Sequence, residues 1–208
     1  MTEPECDGLF DNIVAVYRSD PGGRAAEWAC NGILLRDEAI AAPASAAPDY
    51  GYVVKWQGFE LAVSRVTSYP DLPPGHVGEA AYPAIAVYRL QAPTHADVLS
   101  WWSCKAGDRV RIAGLRPEYD GRLLPPRVVE EVRPATVLGK RGPWWELHVD
   151  DPVGDPPQLG AAVFDKEHPY FIGMVASVGD WWTKRSVRVV SVRAVGHTVD
   201  AAVDEDSD

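Results

Sequence analysis

The chain has 208 residues, with 20 Lys+Arg against 30 Asp+Glu, a formal net charge of -10, 46% hydrophobic residues and 24% charged. That composition fits a folded globular protein and excludes disorder for the body of the chain. The acidic balance argues against wrapping duplex DNA, which needs a basic face. Residues 200–208 carry five acids and no base, so much of the acidity belongs to a tail.

No apolar run approaches the ~20 residues of a membrane span. The acidic first residues lack the basic and apolar regions of a signal peptide. The expectation is a cytoplasmic chain with Cys6, Cys30 and Cys104 reduced. No Cys/His spacing suits zinc, and no metal or cofactor is expected.

The apolar pattern predicts strands nearly throughout, at 12–17, 27–35, 39–42, 51–56, 59–66 and 84–90, then 109–113, 127–132, 145–149, 161–164, 171–177 and 186–192. Each run is short, rich in Val, Ile, Ala and aromatics, and bounded by turn residues. Gly and Pro total 36 residues, which enforces many turns. Val187, Val189 and Val190 among Arg185, Arg188 and Arg193 suggest a partly exposed edge. Only 94–104 and the stretch near Ala201 suit a helix. A dozen strands predict an all-β protein, either a sandwich or a pair of barrels. The boundaries read as an N-terminal arm 1–11, a first barrel 12–91, a connection 92–108, a second barrel 109–197 and a disordered acidic tail 198–208.

Four segments carry a resemblance. Residues 30–45 read Cys-Asn-Gly-Ile-Leu-Leu-Arg-Asp-Glu-Ala-Ile-Ala-Ala-Pro-Ala-Ser. Residues 84–90 read Ala-Ile-Ala-Val-Tyr-Arg-Leu, and residues 106–114 read Ala-Gly-Asp-Arg-Val-Arg-Ile-Ala-Gly. Residues 160–165 read Gly-Ala-Ala-Val-Phe-Asp, followed at 170–179 by Tyr-Phe-Ile-Gly-Met-Val-Ala-Ser-Val-Gly. In order and spacing the set resembles the chymotrypsin/trypsin-like serine peptidases over about residues 12–195. The resemblance implies two six-stranded antiparallel barrels with a cleft between them.

The resemblance also assigns the catalytic positions, and there the residues differ. Ser45 stands where the family has its His, Ala84 where it has its Asp, and Leu159 where it has its Ser. This register anchors on Phe164 and Gly173; a second one sets Gly154-Asp155 against the family's Gly-Asp and puts Pro156 in the nucleophile slot. Neither supplies a Ser, and Pro156 and Pro157 lack the amide hydrogens that an oxyanion loop requires. The expectation is therefore a degenerate member without the family's chemistry. None of His76, His95, His148, His168 and His197 lies in a motif that carries a mechanism. Asp150, Asp151 and Asp155 precede the slot and read as an exposed turn. Cys30 falls where the family has a disulfide cysteine, but its usual partner position is Ala46. Cys6 and Cys104 resemble a pair that some members join, and that pairing stays open.

Six of the eight Trp occur as pairs, 101–102, 144–145 and 181–182. Neighbours in a strand face opposite ways, so one of each pair can fill a barrel while the other is exposed. In the family, the segment at Ser177, Val178 and Gly179 is the edge that pairs with an extended peptide. Trp181 and Trp182 follow it and, with Leu159, suggest an apolar wall. The reading is a binding module that takes a peptide or partner loop by strand addition in the former cleft. The alternative is a non-proteolytic enzyme acting on a small molecule in that cleft, with Asp155, His76 or Ser45 giving acid–base help. Last comes a rewired peptidase. Neither nucleic acid nor membrane is expected as a partner.

Overall fold

A computed structural model describes residues 8–36, 39–48, 50–68, 85–94, 99–121, 125–141, 144–151, 155–178, 186–196 and 199. The first half holds β1 (Ile13–Ser19), β2 (Ala25–Arg36), β3 (Ala39–Pro43), β4 (Tyr52–Trp56), β5 (Phe59–Leu61), β6 (Val63–Ser68) and β7 (Ile85–Leu90). The second holds β8 (Arg109–Glu118), β9 (Arg127–Arg141), β10 (Trp144–Val149), β11 (Ala162–Asp165), β12 (Phe171–Val178) and β13 (Ser186–Ser191). Residues 192–196 form a short helical stretch. No described helix is long and apolar enough to cross a membrane.

The first seven strands form one sheet in the order β5-β4-β1-β2-β3-β7-β6. Its two outer strands, β5 and β6, are separated in sequence only by Ala62. The sheet must therefore curl until its edges meet, which makes it a barrel. The predicted single strand 59–66 is this β5–β6 pair, interrupted at one residue, so six predicted strands become seven. The second half is a closed six-stranded barrel, β10-β13-β12-β11-β8-β9. All described pairings between strands are antiparallel. The expected all-β architecture of two antiparallel barrels is present.

Side-chain alternation sorts most of the core into three layers, beside a smaller cluster around Ala15, Tyr17 and Val53. On β3, Ile40 and Ala42 face the interior of the first barrel, while Ala39 and Ala41 join a cluster shared by both barrels. On β7, Ala86 and Tyr88 face inward, and Ile85 and Val87 face the shared cluster. On β11, Val163 fills the second barrel while Ala162 and Phe164 turn to the shared layer. These strands are buried on both faces, which is why they read as continuous apolar runs and not as alternating ones.

Several expectations need correction. The predicted edge at 186–192 is an interior strand, because β13 is paired to β10 on one side and to β12 on the other. Its valines fill cores, with Val187 and Val189 in the second barrel and Val190 in the shared layer. Arg188 lies on the outer face, 3.8 Å from Glu146. The segment 94–104 is not helical where it is described. Trp101 forms a parallel bridge to Phe171, with Phe171 N donating to Ser100 O at 2.8 Å and Trp102 N to Phe171 O at 3.1 Å. The helix occurs at 192–196; the position near Ala201 and the acidic tail lie outside the described residues. β8 and β9 are also longer than predicted. β9 pairs β8 through Arg127 to Thr136 and β10 through Ala135 to Arg141, so one strand turns the barrel corner just after Pro134.

Candidate functional site

Three chain segments carry the described site positions. The first is the turn after β3, closed by Ala46 N and Ala47 N donating to Pro43 O at 3.0 and 2.9 Å. Ser45 lies exposed at its tip, and Ala44 and Ala46 pack against the first-barrel interior. The second is the loop before β11. Leu159 is half-buried there and packs against the same first-barrel cluster, which contains Cys30, Ala42 and Tyr88. The third is the end of β12. Gly160 N donates to Val175 O at 2.8 Å, and Val175 N to Ala161 O at 2.9 Å. The pre-β11 loop is thereby fixed two residues ahead of Ser177. Ala44, Ala46 and Leu159 thus pack against one first-barrel cluster, and the loop that carries Leu159 is bonded to β12 two residues before Ser177. Ala84, Gly179, Trp181 and Trp182 lie outside the described residues.

Asn31, which the sequence reading does not single out, holds this junction. It sits on β2, is 0% exposed, and reaches across to the second barrel. Its Nδ2 donates to Leu115 O at 3.2 Å and to Leu159 O at 3.3 Å. Its Oδ1 accepts from Leu115 N at 2.8 Å, and its own backbone N donates to Leu159 O at 2.9 Å. A polar side chain inside an apolar strand run is stable only when so bonded. That polar interruption in Cys30-Asn31-Gly32-Ile33 was the available signal. Gly160 explains how close the approach is. Its φ is +79°, and a Cβ there would lie 1.9 Å from Asn31 O. Only glycine fits, for both reasons.

The chemistry of these positions is limited. Leu159 carries no nucleophilic atom, and a serine at position 45 is no base near neutral pH. Pro157, two residues before Leu159, has no amide hydrogen to donate to an oxyanion. His148 lies on β10, between β9 and β13. His168 is exposed in the β11–β12 turn, its ring 5.3 Å from that of Tyr170. His76, His95 and His197 lie outside the described residues. Asp150 is engaged by Arg109 Nη1 at 2.5 Å and Thr136 Oγ1 at 2.9 Å. Asp151 and Asp155 are exposed. Among the described residues no group of three His, Cys, Asp or Glu could hold a metal ion. Cys30 and Cys104 are both buried thiols, and burial pushes Cys104 up to about 11.

The tryptophan pairs behave differently from one another. Trp144 is buried in the shared layer while Trp145 packs against the second-barrel interior, the expected opposite facing. Trp101 and Trp102 are both exposed, at 66% and 58%. Their segment adds to β12 from outside the barrel, so neither has a barrel to fill.

No protein-family model matches the chain, and no curated protein matches it. Solved structures do. A mutant of human heparin binding protein (CAP37) superposes with a TM-score of 0.67 at 13% identity, covering 98% of this chain and 94% of that one. A scabies mite inactivated protease paralogue gives 0.66 at 14% identity, covering 98% and 100%. Neuropsin, a serine protease expressed in the limbic system of mouse brain, gives 0.67 at 11% identity, covering 99% and 98%. The likeness runs over both barrels and the connection between them. This chain has the chymotrypsin/trypsin-like serine peptidase fold.

Proposed function

We propose that this protein is a catalytically inactive trypsin-like homologue that binds an extended peptide or partner loop in the former active-site cleft. One observation carries the reading. Among the described residues, β12 beyond Val175 is paired only on its β13 side, through Ser177 to Arg188 and Val178 to Val187. On the other side the β11 pairing stops at Met174, and the pre-β11 loop reaches only Val175. Among the described residues no strand covers that edge at Ser177 and Val178. An open edge beside an apolar Leu159 suits strand addition, in which main-chain hydrogen bonds give affinity and side-chain pockets give selectivity.

The residues at the triad positions support the loss of catalysis. Removing one member of such a triad already costs orders of magnitude in rate, and here Ser45, Ala84 and Leu159 replace all three. The fold tolerates this state, since one structural relative is an inactivated protease paralogue by name. A cytoplasmic setting with reduced thiols belongs to the same proposal. A small-molecule enzyme in this cleft is the weaker reading. Two cavities that described residues do outline are lined by other residues.

Two measurements test the proposal together. A fluorophosphonate probe is expected to leave the protein unlabelled; stoichiometric labelling of any serine overturns inactivity. An array of extended peptides is expected to yield ligands whose affinity falls at least tenfold in Ser177→Pro, which disturbs the edge backbone, and in the Trp181→Ala/Trp182→Ala double variant. Peptide affinity unchanged in both folded variants overturns binding at this edge.

A further inference from the structure

Away from the cleft, a cavity of about 780 Å³ opens where the inter-barrel connection, the second barrel and the C-terminal helical stretch meet. Its size lies within the roughly 300–1,000 Å³ of small-molecule sites. Leu35 of β2 and Trp145 and Ile172 of the second barrel line the cavity. Val192 and Val199 line the helical side. Cys104 also lines it, and its thiol, raised to about 11 by burial, is uncharged at neutral pH.

Trp101 and Trp102 form the outer wall. Exposing two adjacent indoles is unfavourable in water, and large exposed apolar patches mark interaction sites. These two are held in place before any ligand arrives. Their backbone is tied to Phe171 by the bridge and hydrogen bonds described above, and Trp102 stacks on Tyr170 with ring centroids 6.0 Å apart and planes at 24°. Such fixing lowers the entropy cost of binding.

Charge selects the ligand. Lys140 and Arg193 both line the cavity and are exposed, and neither forms an ion pair among the described residues. No described carboxylate lines it. On a protein of net charge -10, a cavity with two cations and no described acid runs against the overall field. The Ser103 and Ser191 hydroxyls can add hydrogen bonds at the polar end.

We propose that this junction cavity binds a small amphipathic anion, an apolar body seated against Trp101, Trp102 and Trp145 with its carboxylate between Lys140 and Arg193. The site is separate from the β12 edge and does not depend on it.

The test is calorimetric titration with three probes of equal chain length: decanoate, decanol and decyltrimethylammonium. Decanoate is expected to bind at one site, decanol at least tenfold more weakly, and the ammonium probe not measurably. Lys140→Ala/Arg193→Ala is expected to weaken decanoate at least tenfold while leaving decanol unchanged. Trp101→Ala is expected to weaken both. All three substituted positions are exposed surface, and circular dichroism checks that each variant folds. The absence of saturable decanoate binding overturns the proposal. So does equal affinity for decanoate and decanol, or unchanged decanoate affinity in the double variant. Sedimentation in parallel addresses the other occupant: a dimer that persists in saturating decanoate assigns the wall to a second copy of the chain and overturns the proposal.

Discussion

Gly160 and Leu159 show how single residues set this junction. A methyl group at position 160 would meet Asn31 O at 1.9 Å in a left-handed backbone. Gly160→Ala is therefore expected to cost about 2–5 kcal/mol, from the left-handed penalty plus overpacking; urea unfolding measures it. A loss below about 1 kcal/mol would show that the loop moves freely from β2. Cys104 sets a pH dependence. Its folded pKa of about 11 exceeds the ordinary 9.0 because burial disfavours the thiolate. A pKa raised on folding contributes stability that is complete below the unfolded value and lost as pH rises through the folded one. Stability should thus fall between about pH 9 and 11, and Cys104→Ala should flatten that slope. The slope left over belongs in part to Tyr17, which burial, with a smaller effect of Tyr119, also raises.

At the scale of the element, legibility followed burial and turn chemistry. Strands 39–42, 84–90 and 161–164 were readable because both faces are buried, which leaves an unbroken apolar run. β9 continues past the predicted 132 through Pro134 and Gly139. Pro134 is tolerated there because its carbonyl still accepts from Asp150 N at 2.9 Å, and the missing N–H falls where the strand changes partners. β13 was mistaken for an edge because its arginines suggested exposure, whereas a strand paired on both sides in a closed barrel can still carry an outward arginine such as Arg188. The residues at positions 45 and 159 were legible only through resemblance in order and spacing. Asn31 was not, because its partners Leu115 and Leu159 are 84 and 128 residues away in sequence. The exposure of Trp101 and Trp102 was likewise hidden, since adjacency in sequence does not say whether a barrel lies beneath.

The whole molecule is held together by its shared layer. Ile13, Ile33, Ile85 and Val87 of the first barrel pack in one cluster with Phe164, Phe171, Met174 and Val190 of the second. Separating the barrels would expose this apolar surface on both, so neither is expected to unfold alone. Calorimetry should show one transition. Asn31→Ala removes the side-chain bonds to Leu115 and Leu159 and leaves Leu115 N without its acceptor, a loss of about 2–4 kcal/mol. It should lower that transition without splitting it; two resolved transitions in either protein would refute the coupling.

The first barrel has a weakness that the second lacks. The second closes by hydrogen bonds between neighbouring strands, and its ring is complete wherever the chain is followed. In the first, the two outer strands of the sheet are tied by Ala62, so part of the closure is a covalent hinge and not a ladder. A cut on either side of Ala62 would free both outer strands at once, turning a ring into a ribbon with two sticky borders. Among sites for a new chain terminus or an inserted module in a rearranged version of this protein, that single residue is the one to avoid.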